Sequence, residues 1–548
     1  MDHGATTRGR DVLPPPQAED LAGEDTSDAG GPQTTGTASS HRRGRGTSLR
    51  FPGSWPLAAV LAVQTALSLR LVKANTAFQD EALYLWAGHR EWAHWLHGAP
   101  IPPFSAYFSG APVLYPPIGA LADSVGGLTA ARILSLAFML GATVLLWDTA
   151  RRLDGRRSAF FAAALFAVLG PTLHVGTFAT YDAMSLFLTA LATWFVVRAG
   201  ERQDATGWMV AAGVMLALAN ATGYSTALFD PVVLAVALLT AYPRPGGRAA
   251  IGRIATLLTV TAALLIAGLL IGGSSYGGGV ARTTVARVPG SNPAPTVLSH
   301  AWSWTGLLVL AALCGVAVSW SRDRGGMRTW LLAVLTVAAF LGPLEQAALR
   351  TTASLNKHVD VGAWFAAVAA GYALDKLIAA TAAGRSRVIT TTACVVALAF
   401  PVSLGASQSW AFSTDWPDSS SFVAIFGPLA NGSNGHLLVE DPSIAEYYLP
   451  AGNQWQRWSS TRNIVLPTGG STGGPSRAQG VVGAGNAGTF AQYIAQGYFS
   501  YIALNYADTT ALDYQILKDL RASRQYHIIR VVPYGPGTYV IFQHGTRQ

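Results

Sequence analysis

The sequence predicts an α-helical polytopic membrane protein of about eleven transmembrane helices, followed by a C-terminal extracytoplasmic α/β domain. Three observations carry that prediction. Half of the 548 residues are apolar and only 12% are charged, with 16 Trp in the chain, which is the composition of a chain solvated largely by lipid. Apolar stretches near the ~20 residues that a bilayer demands recur between residues 55 and 405, separated by short polar turns. From 406 onward the pattern changes to short β-branched and aromatic runs that alternate with helical periodicity.

Residues 1–50 are Gly, Ser, Thr, Pro and charge, ending in His41-Arg-Arg-Gly-Arg45, and bury too little apolar surface to fold. They are expected to form a disordered cytoplasmic tail. The stretch near 55–73 is too long for a signal-peptide core and lacks a small-residue cleavage site, so it is expected to stay as the first membrane helix. Further helices are expected near 128–149, 158–175, 180–197, 207–222, 224–242, 254–272, 302–320, 329–345, 361–381 and 388–405, completing a transmembrane domain over 51–405.

The net charge of +8 is carried mostly by Arg in short clusters between the apolar stretches, not massed on one face, so no nucleic-acid partner is expected. It reads as a topology signal. With the tail inside, alternate turns hold Arg151, Arg152, Arg156 and Arg157; Arg198 and Arg202; Arg244 and Arg248; Arg322, Arg324 and Arg328; and Arg385 and Arg387. The first loop, 74–127, and the segment 406–548 then lie outside, as expected for a multi-pass protein of the cytoplasmic membrane. In the exported segment, strands are expected at 436–440, 498–504, 527–532 and 539–542, and helices at 487–497 and 509–523, with a Gly/Ser-rich stretch from Pro467 to Pro475. Cys314 and Cys394 both sit in apolar stretches, so no disulfide framework is expected.

The first external loop is the informative one. It opens on Asp80-Glu81, and Asp80 to Leu96 is expected to form an amphipathic helix with Tyr84, Trp86, Trp92 and Trp95, lying in the interfacial plane. Carboxylates at a bilayer surface are costly to desolvate, which suggests catalysis or ion handling; a hydrated helix start also fits, because acids favour first turns. Tyr115-Pro-Pro117 precedes the second span, Thr180-Tyr-Asp-Ala183 opens a later one, and Leu355-Asn-Lys-His358 precedes the tenth. Of only four lysines, Lys357 stands beside His358 in an outer loop that also carries Arg350, and Arg282 and Arg287 add charge to another. Among His89, His94 and His97 only the last two share an i,i+3 face, too little to assign a metal site.

Together these residues resemble the GT-C glycosyltransferases of the protein O-mannosyltransferase and aminoarabinose-transferase type, a family 39-like group that takes a sugar from a polyprenyl-phosphate carrier. The resemblance rests on Asp80-Glu81 with Tyr84, on Tyr115-Pro-Pro117, on Thr180-Tyr-Asp-Ala183 and on Leu355-Asn-Lys-His358; it covers about 60–200 well and the remainder more loosely. It departs at Leu83, where aminoarabinose transferases often carry Arg, which weakens any inference about that donor.

The resemblance implies hexosyl or pentosyl transfer from a lipid-phosphate sugar to a glycan, lipid or protein acceptor at the bilayer. Asp80 is expected to accept the acceptor hydroxyl's proton, with Glu81 and Asp182 as further catalytic carboxylates. Lys357, with Arg350 and His358, is expected to bind the carrier phosphate, with Tyr84, Arg282 and Arg287 also on the donor side. Some enzymes of this class use a divalent cation and others do not; the sequence requires none. The alternative is a polytopic lipid or ion transporter or flippase. Such a protein would usually show repeated halves with broken helices at corresponding positions, and none is evident.

Overall fold

Backbone inside hydrocarbon must satisfy its own N–H and C=O groups, which leaves helix as the form for isolated apolar stretches. The computed structural model describes residues 55–107, 113–241, 246–287, 289–382, 387–466 and 481–545, and each expected stretch is helical. The tail, Arg244, Arg385 and the segment from Pro467 to Pro475 lie outside the described residues.

In order, the helices are α1 Trp55–Val72, α2 Gln79–His97, α3 Phe104–Tyr107, α4 Tyr115–Asp154, α5 Arg156–Ala167, α6 Gly170–Val175, α7 Tyr181–Gly200 and α8 Thr206–Thr222. After a 3-10 turn over Tyr224–Phe229 come α9 Asp230–Ala241, α10 Gly247–Thr283, α11 Ala294–Asp323, α12 Met327–Ala348, α13 Leu355–Ala382 and α14 Arg387–Phe412. Nine helical segments among the described residues are long and apolar enough to cross a membrane, the 3-10 turn and α9 counting as one. The other two expected spans are helical but shorter: α8 has 17 residues, and 158–175 is broken between α5 and α6. The last helix continues to Phe412, beyond the expected boundary at 405.

Helix α13 is the bundle's centre, packing against α5, α11 and α12. Trp364 and Phe365 are buried there; Trp364 Nε1 donates to the Ala142 carbonyl at 2.9 Å, and Phe365 stacks on Phe229. The Arg-rich turns gather at one end of the bundle. Arg152 meets Glu201 at 2.7 Å, Arg157 meets Asp375 at 3.1 Å, and Arg253 donates to the Ala199 carbonyl at 3.0 Å. At the other end, α1 and α14 finish side by side: Asn75 Nδ2 donates to the Trp416 carbonyl and Trp416 Nε1 to the Thr76 carbonyl, both at 2.8 Å.

The start of α4 is set by Pro116 and Pro117, whose missing N–H groups cost nothing in a first turn. A kink at Gly126 and Gly127 then redirects the helix into the bundle; Gly127 has φ 66°, a conformation that favours glycine. Helix α2 lies directly against this start. A Cβ on Gly88 would stand 1.9 Å from the Pro116 carbonyl oxygen, so no other residue fits that crossing.

The C-terminal domain comprises α15 Ser420–Gly432, β1 His436–Val439, α16 Ser443–Tyr448, β2 Trp458–Ser459, β3 Asn463–Leu466, β4 Val481–Ala484, α17 Ala487–Ala495, β5 Phe499–Leu504, α18 Thr510–Ser523, β6 Tyr526–Tyr534 and β7 Gly537–His544. Five strands form a mixed sheet in the order β2-β1-β5-β7-β6, parallel from β2 to β5 and antiparallel beyond; β3 and β4 pair as a separate antiparallel ribbon. Strand alternation sorts the core onto two faces. Leu437, Val439 and Ile541 pack with Phe422 and Phe426 of α15, whereas Leu438, Ile502 and Phe542 pack with Phe490 of α17 and Ile516 of α18.

This domain grips α2. Trp86 Nε1 donates to the Gly452 carbonyl at 3.1 Å, Arg90 Nη1 to Asn453 Oδ1 at 2.8 Å, and Tyr447 Oη to Asp123 Oδ1 at 2.6 Å beside the α2 residue His89. Of the aromatic residues expected at the interface, Tyr84 and Trp86 are each 3% exposed and are held inside protein. Trp95, near the other end of the helix, is exposed.

Candidate active site

The site is built on the first turn of α2. Glu81 is fully buried, and four protein donors fill its two oxygens: Arg132 Nε at 2.8 Å and Ala179 N at 2.7 Å on Oε1, and Arg132 Nη2 at 2.6 Å and Phe78 N at 2.9 Å on Oε2. The Phe78 contact caps the helix, since a third-position carboxylate satisfies the N-cap amide. Arg132, also buried, uses its remaining hydrogens on the carbonyls of Val72, Asn75 and Thr76 at 3.0–3.2 Å. One buried pair thus welds the end of α1, the start of α2, the bend of α4 and the approach to α7.

That weld aims the adjacent Asp80 at α13. Lys357 Nζ lies 2.8 Å from Asp80 Oδ2 and 3.3 Å from Asp182 Oδ2, and Thr180 Oγ1 donates to the latter oxygen at 2.8 Å. The lysine side chain is 8% exposed, Asp182 10% and Asp80 33%. Of the three, Asp80 is the one that solvent or a substrate can reach. A divalent ion bridging Asp80 and Asp182 would have to displace the Lys357 ammonium, so this donor set fits an ammonium and not a metal. No group of three or more His, Cys, Asp or Glu side chains suited to a metal occurs among the described residues.

A cavity of about 520 Å³ adjoins the trio, lined by Tyr181, Tyr224, Arg282, Arg287, Glu345 and His358 among others. It brings three of the expected cationic groups together. Tyr84 packs its ring on Tyr181 at 5.1 Å, behind the cavity wall. Arg282 Nη2 also donates to the Ser105 carbonyl at 2.9 Å, and His358 Nδ1 lies 3.2 Å from Glu345 Oε2. Arg350 is not brought in: it is exposed, with φ 53°, at the end of α12. Lys357 and His358, expected in a loop, belong to the first turn of α13, which is how they reach Asp80 and the cavity.

Sequence reasoning did not single out Arg132. Its signal was its position, an Arg at the end of the second span away from the Arg-rich turns. Of the histidines, His89 pairs with Asp123 at 2.6 Å and His94 meets the Ala99 carbonyl, so they do not converge.

The model of the dolichyl-phosphate-mannose-protein mannosyltransferase family matches residues 118–271, which include Arg132 and Asp182 but stop short of Asp80 and Lys357. No curated protein matches the chain. Among solved structures, ArnT from Cupriavidus metallidurans superposes with a TM-score of 0.56 at 14% identity, over 90% of this chain and 99% of that one. The chain has the fold of the GT-C glycosyltransferases. The chain also shares its fold with the Archaeoglobus fulgidus oligosaccharyltransferase, at TM-score 0.54 and 13% identity over 89% of this chain and 73% of that one. It matches the mycobacterial arabinofuranosyltransferase AftD at TM-score 0.51 and 14% identity, covering 90% of its own length and 42% of AftD.

Proposed function

We propose that this transferase moves a sugar from a polyprenyl-phosphate carrier to an acceptor hydroxyl on the outer face of the cytoplasmic membrane, with Asp80 as the base. The observation that carries the reading is the Asp80–Lys357–Asp182 trio, in which Asp80 alone is open. Support for the donor class comes from the fold relatives: ArnT has been solved bound to undecaprenyl phosphate, and the Archaeoglobus enzyme with a dolichol-phosphate and an inhibitory peptide.

A hydroxyl is a weak nucleophile until its proton has an acceptor in hydrogen-bond reach. As its oxygen bonds to the anomeric carbon, the bond from that carbon to the phosphate oxygen breaks, and the hydroxyl proton passes to Asp80. The electron pair leaves on the lipid phosphate. Arg282, Arg287 and His358, lining the adjoining cavity, are suited to stabilise that developing charge. Lys357 holds Asp80 and Asp182 at fixed distance and offsets their repulsion.

Orientation follows from charge and from the ends of the chain. The Arg-rich turns share one end of the bundle, suited to the cytoplasm, and α1 and α14 finish together at the other. Loop 74–127 and the C-terminal domain are therefore assigned to the outer side.

The test is consumption of polyprenyl-phosphate sugars, offered singly as mannose and arabinose conjugates, by membranes enriched in the protein, read as release of lipid phosphate. Asp80→Asn should lower transfer by about 10²–10⁴-fold while retaining donor binding, because the amide keeps the shape but cannot take the proton. Near-normal turnover of that variant would show that another group is the base.

A further inference from the structure

A second cavity, of about 280 Å³, lies where α2 meets the C-terminal domain, with Gln79, Asp441, Glu446, Arg462, Asn463 and Asp508 in its wall. Asp80 turns toward Lys357, whose neighbour His358 lines the cationic one, while Gln79 lines this one.

The wall is not simply acidic. Glu440 also borders the cavity, but its carboxylate is occupied by the backbone N–H groups of Asn505, Tyr506, Ala507, Asp508 and Thr509. Arg462 offsets Asp508 through an ion pair of 2.7 Å, and Asp441 Oδ1 accepts the Ser443 N–H at 2.9 Å. Glu446 is the anomaly. It is 3% exposed, and its Oε1 has no hydrogen-bond partner. Burial, then the nearby Asp441, push its carboxyl well above the usual carboxylate range.

The cavity thus offers donors from Arg462, Asn463 and Gln79, acceptors from Asp441 and the side-chain amides, and a small negative excess. Hydroxyl groups, which donate and accept at once, match such a wall. Phosphate and other anions do not. The volume sits just under the ~300 Å³ at which ligand pockets begin, room for one small polar unit and not a lipid chain.

We infer that this cavity is the acceptor subsite, that it takes an uncharged carbohydrate unit, and that it excludes anionic acceptors. The inference rests on the transferase reading and deepens it by naming the acceptor's chemistry.

The experiment uses the full-length protein in lipid nanodiscs at saturating polyprenyl-phosphate sugar, with three acceptor probes: a neutral alkyl glycoside, the same glycoside phosphorylated, and a Ser-containing Lys-rich peptide. The neutral glycoside should be used at least tenfold more efficiently than either of the others. Asn463→Ala should raise its KM about five- to tenfold, the loss of one hydrogen bond, with a much smaller change in donor KM. Asp441→Asn should narrow the discrimination against the phosphorylated probe. Equal use of the phosphorylated glycoside, preference for the peptide, or a glycoside KM indifferent to both variants would overturn the inference while donor consumption still upheld the transferase. A protein that consumes no lipid-phosphate sugar would overturn both.

Discussion

Two neighbouring carboxylates in one helical turn meet opposite surroundings: Glu81 is sealed by four donors, while Asp80 keeps a third of its side chain in solvent and touches one ammonium. Their variants should separate accordingly. Breaking a buried, hydrogen-bonded ion pair costs about 3–5 kcal/mol, so Glu81→Gln should lower the thermal midpoint sharply, whereas Asp80→Asn should leave it nearly unchanged. Equal midpoints for the two would remove Glu81 from its structural role. Lys357→Ala should cut kcat by about one to two orders of magnitude with donor KM rising less than about threefold, and Lys357→Arg should recover part, because its charge survives in a different geometry. A selective rise in donor KM would instead make Lys357 a phosphate ligand. Since an ammonium stands between the two aspartates, a chelator should leave wild-type turnover within about twofold, and a marked loss restored by a divalent ion would contradict that reading. The sequence showed Asp80, Asp182 and Lys357 as residues worth attention. It did not show that they meet, because Asp80 and Lys357 are 277 positions apart and no periodicity spans that distance.

Periodicity did expose most elements, and it failed where length or packing decided the outcome. Strands β1, β5, β6 and β7 and helices α17 and α18 lie where β-branched runs and helical spacing put them. The strand β2 has two residues and no period to read, and α15 contains Pro428, which masks an otherwise apolar helix. The burial of α2 was hidden for a different reason: aromatic residues suit a membrane interface and a protein interface equally well, and only the C-terminal domain's contacts decide between them. Within that domain Asp513 of α18 is fully buried, and burial, then nearby Glu440, push its carboxyl well above the ordinary value of ~3.9. The folded form thus holds that proton more tightly than the unfolded form. Stability from this group is complete below about pH 4 and is lost as pH rises from there through the raised folded-state value. Asp513→Asn should flatten the fall in thermal midpoint across that interval, since the amide can still accept from Thr509 Oγ1, now 3.0 Å away. An unaltered slope would place the pH dependence elsewhere.

At the scale of the molecule, the alternation of Arg-rich turns and the meeting of α1 with α14 both put the first loop and the C-terminal domain on one side. Single cysteines introduced into a background lacking Cys314 and Cys394 test this with an impermeant thiol reagent on intact cells. Positions near 440 should react and positions in the 151–157 turn should not; the reverse pattern would invert the molecule. The fold class was legible because hydrocarbon leaves the backbone so few options. The union of the bundle with its outer domain was not, because it depends on single contacts such as Trp86 with Gly452 and Arg90 with Asn453. Those contacts also set an order of events during synthesis. The helix bearing Asp80 is made before α13, which brings Lys357, and before the domain that grips α2, which follows α14. A nascent chain therefore holds Asp80 before the Lys357 ammonium and the contacts at Trp86 and Arg90 exist, so under the proposed mechanism the site is assembled only by the later segments.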